Sequence, residues 1–290
     1  MSGAGDPEPV YVLARQVLLD VLEALAEQRD AIVLVGAQAI YLHTGEAELA
    51  AALYTTDADI VIDPVELRPS PKLEEILRNA GFRRTAEVGI WATSRSLGDV
   101  PTEVTVDFLV PELVGGGGRR AARLGEHGSR VARKARGLEA ALVDRAPMLV
   151  TSLGKNDARS FHLAVAGPTA LLVAKVHKIQ DRAGSGRADD KDALDVLRLL
   201  RAIPAGVFTS KFKVLLADDK AAEVTREALE HLKVLFSEPT DRGSQMAARA
   251  AAPMEDKDTI AASCAILAHD LLRAVQPLPA AGGLRRRRGR

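Results

Sequence analysis

Two aspartates, Asp57 and Asp59, alternate with apolar residues in the segment 55–63, which reads Thr-Thr-Asp-Ala-Asp-Ile-Val-Ile-Asp. The alternation predicts a β-strand that Pro64 terminates, and residues two apart on a strand point to the same face. Asp107 lies on the polar face of a later predicted strand, 103–109, that could pair alongside. Three neighbouring carboxylates repel one another without a cation, and they suit Mg²⁺. The pattern therefore indicates phosphoryl or nucleotidyl transfer, with Asp57 and Asp59 as metal ligands.

A second motif precedes the carboxylates and offers a place for phosphates. A continuous apolar run, 31–35, predicts a buried strand, and Gly36 separates it from a short predicted helix over 38–42. The backbone N–H groups at a helix N-terminus bind phosphate groups well. We therefore predict nucleotide contacts at Gly36 and Ala37, and at Thr56 beside the carboxylates.

A stripe of cations follows on a predicted helix over 168–182. Lys175, Lys178 and Arg182 stand at i, i+3 and i+7, so they share one face of the helix. Lys175 is predicted to neutralise phosphate charge in the transition state, and Lys178 and Arg182 to bind the nucleotide. A solvated basic face is the alternative interpretation of this stripe.

Two acids one turn apart, Asp192 and Asp195, share a face of the next predicted helix, 192–201. Either of them could orient Lys175 or contact the nucleotide, and the spacing does not choose between them. They could equally be surface acids paired with Lys191 or Arg198. We include both among the predicted catalytic residues.

Taken in order, these segments resemble the minimal nucleotidyltransferases of the AbiEii type, a family that includes the MenT toxins of bipartite toxin–antitoxin systems. The resemblance spans residues 34–200 and rests on the Gly36 motif with Asp57-x-Asp59, on Asp107, and on the segments 175–182 and 191–200. It implies a Mg²⁺ cofactor and a role for Asp107 in activating the attacking hydroxyl. It also implies a tRNA 3′ end as acceptor, blocked translation, and a cognate antitoxin encoded nearby.

The expected fold class is α/β, with a nucleotidyltransferase-like mixed sheet followed by a mainly helical C-terminal domain. We predict a core over 1–160, a helical domain over 161–276 that completes the active site, and a disordered basic tail over 277–290. A strand is predicted over 82–91, and helices over 10–29, 71–79, 221–236 and 258–275. The segment 115–136 is basic and led by glycines, and it is predicted to be flexible, with Arg119, Arg120 and Arg123 binding RNA.

Composition narrows the class of protein. Of the 290 residues, 47% are apolar and 27% charged, which excludes a wholly disordered chain. Basic and acidic residues number 39 each, so no overall field favours nucleic acid or membrane, and only local clusters can do so. The start of the chain lacks the pattern of a signal peptide, and no apolar stretch is long enough for a membrane span. We expect a cytoplasmic protein that does not bind membranes.

Two other functions fit part of these observations. The first is a nucleotidyltransferase that modifies a small molecule such as an antibiotic, although a small acceptor needs no basic segment. The second is a catalytically silent nucleotide- or RNA-binding module, which would have no need of close carboxylates. The six histidines show no metal-ligand spacing, so the sequence predicts no zinc site.

Overall fold

One mixed β-sheet spans the N-terminal part of the protein, and helices form the C-terminal part. The computed structural model describes residues 7–45, 55–184 and 190–275. Strand order in the sheet is β3-β4-β5-β2-β1-β8-β7, and β6 pairs with the end of β5. The strands are β1 Ile32–Val35, β2 Asp57–Ile62, β3 Arg83–Arg84, β4 Ile90–Leu97, β5 Val100–Pro111, β6 Arg133–Ala135, β7 Arg145–Thr151 and β8 Ser160–Ala166.

The centre of the sheet brings together strands that are distant in the chain. β2 runs antiparallel to β1 and parallel to β5, and β8 runs parallel to β1. The central strands are buried because they are rich in Ile, Val and Leu and are covered by helices. The helices are α1 Pro9–Ala24, α2 Gly36–Thr44, α3 Leu73–Asn79, α4 Glu139–Val143, α5 Pro168–Asp181, α6 Asp190–Ala202, α7 Ala205–Ala217, α8 Ala222–Phe236, α9 Arg242–Ala251 and α10 Lys257–Val275.

The fold class predicted from the sequence is confirmed. The last strand, β8, ends at Ala166, and helices follow from Pro168 onwards. α5 packs against α6 and α8, α6 against α9, and α10 against α7, α8 and α9. The domain boundary near residue 160 stays a prediction, and the predicted tail over 277–290 lies outside the described residues.

The predicted strand over 82–91 is wrong. Only Arg83–Arg84 and the start of β4 at Ile90 are extended, and a turn separates them. Gly89 forms this turn with φ +84°, and a Cβ there would lie 2.7 Å from the backbone of Phe108 and of Arg133. Glycine is therefore required by both the backbone angle and the close approach. Helices α7 and α9 were not among the predicted elements.

The segment 115–136, which was predicted to be flexible, is anchored to the sheet at its C-terminal end. Val131 and Ala132 are buried, and the indole Nε1 of Trp91 donates a hydrogen bond to the Val131 carbonyl at 3.1 Å. The segment ends in β6, which pairs in parallel with β5. Glycines and arginines suggested a solvated linker, but the short apolar stretch anchors the segment to the sheet.

None of the helices in the described ranges combines the length and the apolar character that crossing a membrane would require.

Candidate active site

Three carboxylates meet on one face of the sheet. β2 and β5 pair in parallel with Asp59 opposite Asp107 and Asp57 opposite Thr105. Because side chains of paired residues on parallel strands point to the same face, Asp57, Asp59 and Asp107 form one acidic cluster. The carboxylate arrangement predicted from the alternating pattern is present. We call these three residues the sheet carboxylates.

The turn between β1 and α2 passes directly over Asp59. Val35 pairs with Asp59 across β1 and β2, and Gly36 follows with φ +70° as the first residue of α2. A Cβ on Gly36 would lie 1.9 Å from Oδ2 of Asp59. Only glycine allows this approach, which places the N-terminus of α2 beside the acidic cluster. Ala37 is buried in the first turn of α2, and Thr56 is exposed next to Asp57.

Polar side chains hold the strand that carries Asp57. The hydroxyl of Thr55 donates to Oδ1 of Asp57 at 2.6 Å. The buried amide of Gln38, on α2, donates to the Asp57 carbonyl at 3.0 Å and accepts from Nε of buried Arg15 at 2.8 Å. The Arg15–Gln38–Asp57 connection ties α1 and α2 to β2. Sequence spacing gave no signal for Gln38, because its partners lie 19 and 23 residues away in the chain.

Asp107 has a cationic partner that the sequence did not reveal as a site residue. Both oxygens of Asp107 accept from Nε of Arg133 at 3.1 Å, and Nη2 of Arg133 forms a further contact with Oδ2. Parallel pairing of β6 with β5 sets Arg133 opposite Leu109, which brings its side chain to this carboxylate. Burial raises the pKa of Asp107, and Arg133 offsets part of that rise.

The pKa of Asp59 is raised to about 7. Burial is the largest cause, followed by the negative charge of Asp57, while Lys178 and then Lys175 act in the opposite direction. Like charges that raise a pKa also create a favourable potential for a cation. Carboxylate oxygens are the ligands that Mg²⁺ prefers, so the residues present fit a magnesium site at Asp57 and Asp59.

The cations predicted to face a nucleotide lie against the acids of α6. Nζ of Lys175 donates to Asp192 Oδ1 and Asp195 Oδ2, each at 2.7 Å. Lys178 contacts Asp192 Oδ1 at 2.9 Å, and Arg182 contacts Asp192 Oδ2 at 3.4 Å. We call these five residues the helix ion cluster. The structure thus brings both predicted acids to Lys175.

The members of the helix ion cluster differ in exposure. The side chains of Lys175, Asp192 and Asp195 are 8%, 3% and 1% exposed, whereas that of Lys178 is 36% exposed. Burial alone would lower the pKa of Lys175, but Asp192 and Asp195 raise it well above its ordinary value. Burial likewise tends to raise the pKa of Asp192, but Lys175 and Lys178 bring it well below the usual range. Lys175 and Asp192 therefore both carry their charges at neutral pH.

The basic segment runs beside the sheet carboxylates. Lys134 of β6 donates its backbone N–H to the Arg120 carbonyl at 2.7 Å, so Arg120 lies next to the strand that carries Arg133. Arg119, Arg120 and Arg123 are exposed. Nη2 of Arg120 approaches Glu87 at 3.3 Å across an exposed surface. These arginines therefore belong to the segment that leads into β6, the strand that carries Arg133.

Comparison with known proteins gives the class. The model of a family described as nucleotidyltransferase matches residues 16–206, a range that holds every member of the sheet carboxylates and the helix ion cluster. The match covers more than half of the chain, so the protein belongs to this nucleotidyltransferase family. The class of protein is therefore an enzyme that transfers nucleotides. A search among curated proteins gives no match.

Proposed function

We propose that this protein is a Mg²⁺-dependent nucleotidyltransferase toxin of the AbiEii type, which transfers a nucleotide from a nucleoside triphosphate to the 3′ end of a tRNA. The observation that carries the nucleotide-transfer part is the set of sheet carboxylates, with Asp59 at a raised pKa. The assignment of tRNA as the acceptor is supported by the exposed arginines beside the sheet carboxylates. Modified tRNA would no longer be aminoacylated, so translation in the cytoplasm would stop.

Asp57 and Asp59 would hold Mg²⁺, which when bound neutralises charge on the triphosphate. The N-terminus of α2, at Gly36 and Ala37, presents backbone N–H groups to phosphate oxygens beside Asp59. Thr56 is exposed at the same edge and would contact the nucleotide. These groups orient the α-phosphorus towards the acceptor.

The acceptor hydroxyl attacks the α-phosphorus, the new oxygen–phosphorus bond forms, and the bond to pyrophosphate breaks. Asp107 is suited to receive the hydroxyl proton, because burial raises its pKa towards the range useful for a general base. Arg133 keeps the Asp107 carboxylate in place and offsets part of that rise.

Lys178 is the cation that we assign to the departing pyrophosphate. Its side chain is the most exposed of those in the helix ion cluster, and among the cations acting on Asp59 its effect is the largest. Lys175 is buried between Asp192 and Asp195, so we assign all three a positioning role that holds α5 against α6. Arg182, joined to Asp192, extends the positive face available to the nucleotide.

The test of transfer is direct. Purified protein is incubated with each α-labelled nucleoside triphosphate, Mg²⁺ and total tRNA, and the label in the tRNA band is measured. Label in tRNA supports the proposal, and its absence with an Asp59→Asn variant assigns the activity to this site. Label only in added small molecules would replace the tRNA acceptor with a small one. Nucleotide binding without any transfer would favour a silent binding module.

The acceptor surface has its own test. Replacing Arg119, Arg120 and Arg123 with Ser should weaken tRNA binding and reduce the salt slope, by roughly 0.7–0.9 for each phosphate that the variant no longer neutralises. The matched control replaces three exposed cations of the helical part with Ser: Lys213, Arg226 and Lys233. Filter binding across a salt series separates the two variants. An unchanged slope in the first variant would remove this segment from the RNA path.

A cognate antitoxin is the partner that the family resemblance implies. Co-expression with the product of each neighbouring gene, read out by growth and by tRNA labelling, would identify it. Suppression of toxicity by one such product would support the toxin assignment, and undiminished growth on expression of this protein alone would argue against it.

A further inference from the structure

Two histidines and a glutamate converge between α5 and α8, although their spacing in the sequence predicted no metal site. His177 lies on α5, and Glu227 and His231 lie four residues apart on α8. One ligand atom from each of the three lies within 4.8 Å of the other two. His177 is buried, and Glu227 and His231 are half-buried. The three side chains therefore lie close enough together to be considered as ligands of one ion.

The imidazole of His177 is held in a defined orientation. Its Nε2 lies 2.8 Å from the carbonyl oxygen of Val224, which can only accept, so Nε2 donates this hydrogen bond and Nδ1 is the ring nitrogen available to a metal ion. Gly137, with φ +87°, packs on the ring, and a Cβ there would lie 2.6 Å from Cδ2 of His177. A carbonyl that receives the second N–H is the usual support of a metal-binding histidine.

The surroundings of Glu227 carry more negative than positive charge. Arg136 donates to both oxygens of Glu227 at 2.7 Å, and also contacts Glu223 at 2.7 Å and Glu112 at 3.4 Å. One guanidinium therefore faces three carboxylates, which leaves two negative charges uncompensated within this group. Each oxygen of Glu227 keeps a second lone pair beside the one that Arg136 uses.

We propose that His177, Glu227 and His231 bind a transition-metal dication of the Zn²⁺ class. Two imidazole nitrogens and one carboxylate oxygen are a donor set that Zn²⁺ accepts in tetrahedral geometry, with water in the fourth position. The ion would link α5, through His177, to α8, through Glu227 and His231. This site is separate from the oxygen-only sheet carboxylates.

The site is tested on the full chain after dialysis against a chelator and then against buffer with excess Mg²⁺, which would occupy the site proposed at the sheet carboxylates. Calorimetric titration with Zn²⁺ should show one ion bound for each chain. His231→Gln should weaken this binding by more than about tenfold, since loss of even a supporting partner costs roughly 10–100-fold. His162→Gln, at an exposed position on β8, is the matched control and should bind as the unaltered protein does.

The absorption of bound Co²⁺ is measured on the unaltered protein. It therefore depends neither on catalytic activity nor on whether a variant folds. The unaltered protein should develop the visible absorption of four- or five-coordinate Co²⁺, and Glu227→Gln should lose most of it. Circular dichroism checks that each variant is folded. Equal Zn²⁺ affinity in His231→Gln and His162→Gln, or an octahedral Co²⁺ spectrum in the unaltered protein, would overturn the proposal.

Discussion

The sheet carboxylates and the helix ion cluster contain similar acids in opposite electrostatic situations. Asp59 faces Asp57 and Asp107, and its pKa is raised to about 7. Asp192 lies between Lys175, Lys178 and Arg182, and its pKa is lowered. Burial acts to raise the pKa of both acids, so the sign of the neighbouring charges makes the difference.

This contrast separates acids that attract a ligand from acids that hold the fold. A carboxylate with like-charged neighbours is stabilised by an added cation, so the sheet side is suited to Mg²⁺ and phosphate chemistry. A carboxylate already paired with buried cations gains nothing from a further ion. We therefore propose that Asp192 and Asp195 hold α5 against α6, and removing one partner would leave another charge buried without compensation.

The largest effect is expected on the sheet side. Asp59→Asn or Asp57→Asn should reduce nucleotide transfer on the order of a thousandfold, because a charge at the proposed metal site is lost. Thermal unfolding should show an unchanged or raised midpoint, since repulsion between carboxylates is relieved. Asp99→Asn, in the exposed β4–β5 turn, is the control and should leave both quantities unchanged. Near-native transfer by Asp59→Asn would contradict the metal assignment.

The second effect is a loss of stability when the helix ion cluster is altered. Lys175→Met leaves Asp192 and Asp195 facing each other in a buried environment, which should lower the free energy of unfolding by about 3–5 kcal/mol. Lys178→Met keeps the Lys175 pairs and changes a half-exposed residue, so its cost should stay below about 1 kcal/mol. Urea unfolding of both variants measures the difference. Equal costs would mean that Lys175 is not the structural centre of the cluster.

The kinetic prediction concerns Lys178. Lys178→Met should lower kcat about a hundredfold with a smaller change in nucleotide binding, as expected for a group that acts on charge developing in the transition state. Lys178→Arg, which keeps the charge, should recover part of the rate. If Lys178→Met raised only the nucleotide requirement, Lys178 would be a ground-state binding contact.

The last effect concerns the dependence of stability on pH. The pKa of Asp59 is about 7 in the folded protein and about 4 in an unfolded chain, so the folded state binds the extra proton between these values. Without Mg²⁺, the free energy of unfolding should therefore fall as the pH rises from about 4 to about 7. Asp59→Asn should lack this decrease. Urea unfolding at both pH values gives the comparison, and parallel behaviour of the two proteins would disprove it.

The local elements of the sheet side were predictable from the sequence. Alternation in β2 and β5 predicted the strands and the shared face of their acids, and Gly36 marked the start of α2. Periodicity also predicted α5, α6, α8 and α10. These features depend on residues a few positions apart, so they leave a signal in the spacing. The strand predicted over 82–91 was wrong because the alternation of residues did not reveal the left-handed turn at Gly89.

The charge partners were decided by the tertiary structure. Arg133 reaches Asp107 because β6 pairs in parallel with β5, and Lys175 contacts both Asp192 and Asp195 because α5 packs on α6. His177 meets Glu227 and His231 only through the packing of α5 on α8. By itself the sequence determined which acids and bases exist and which of them share a local face. Only packing between distant segments decided which charges are compensated, since burial and neighbouring charge set each pKa.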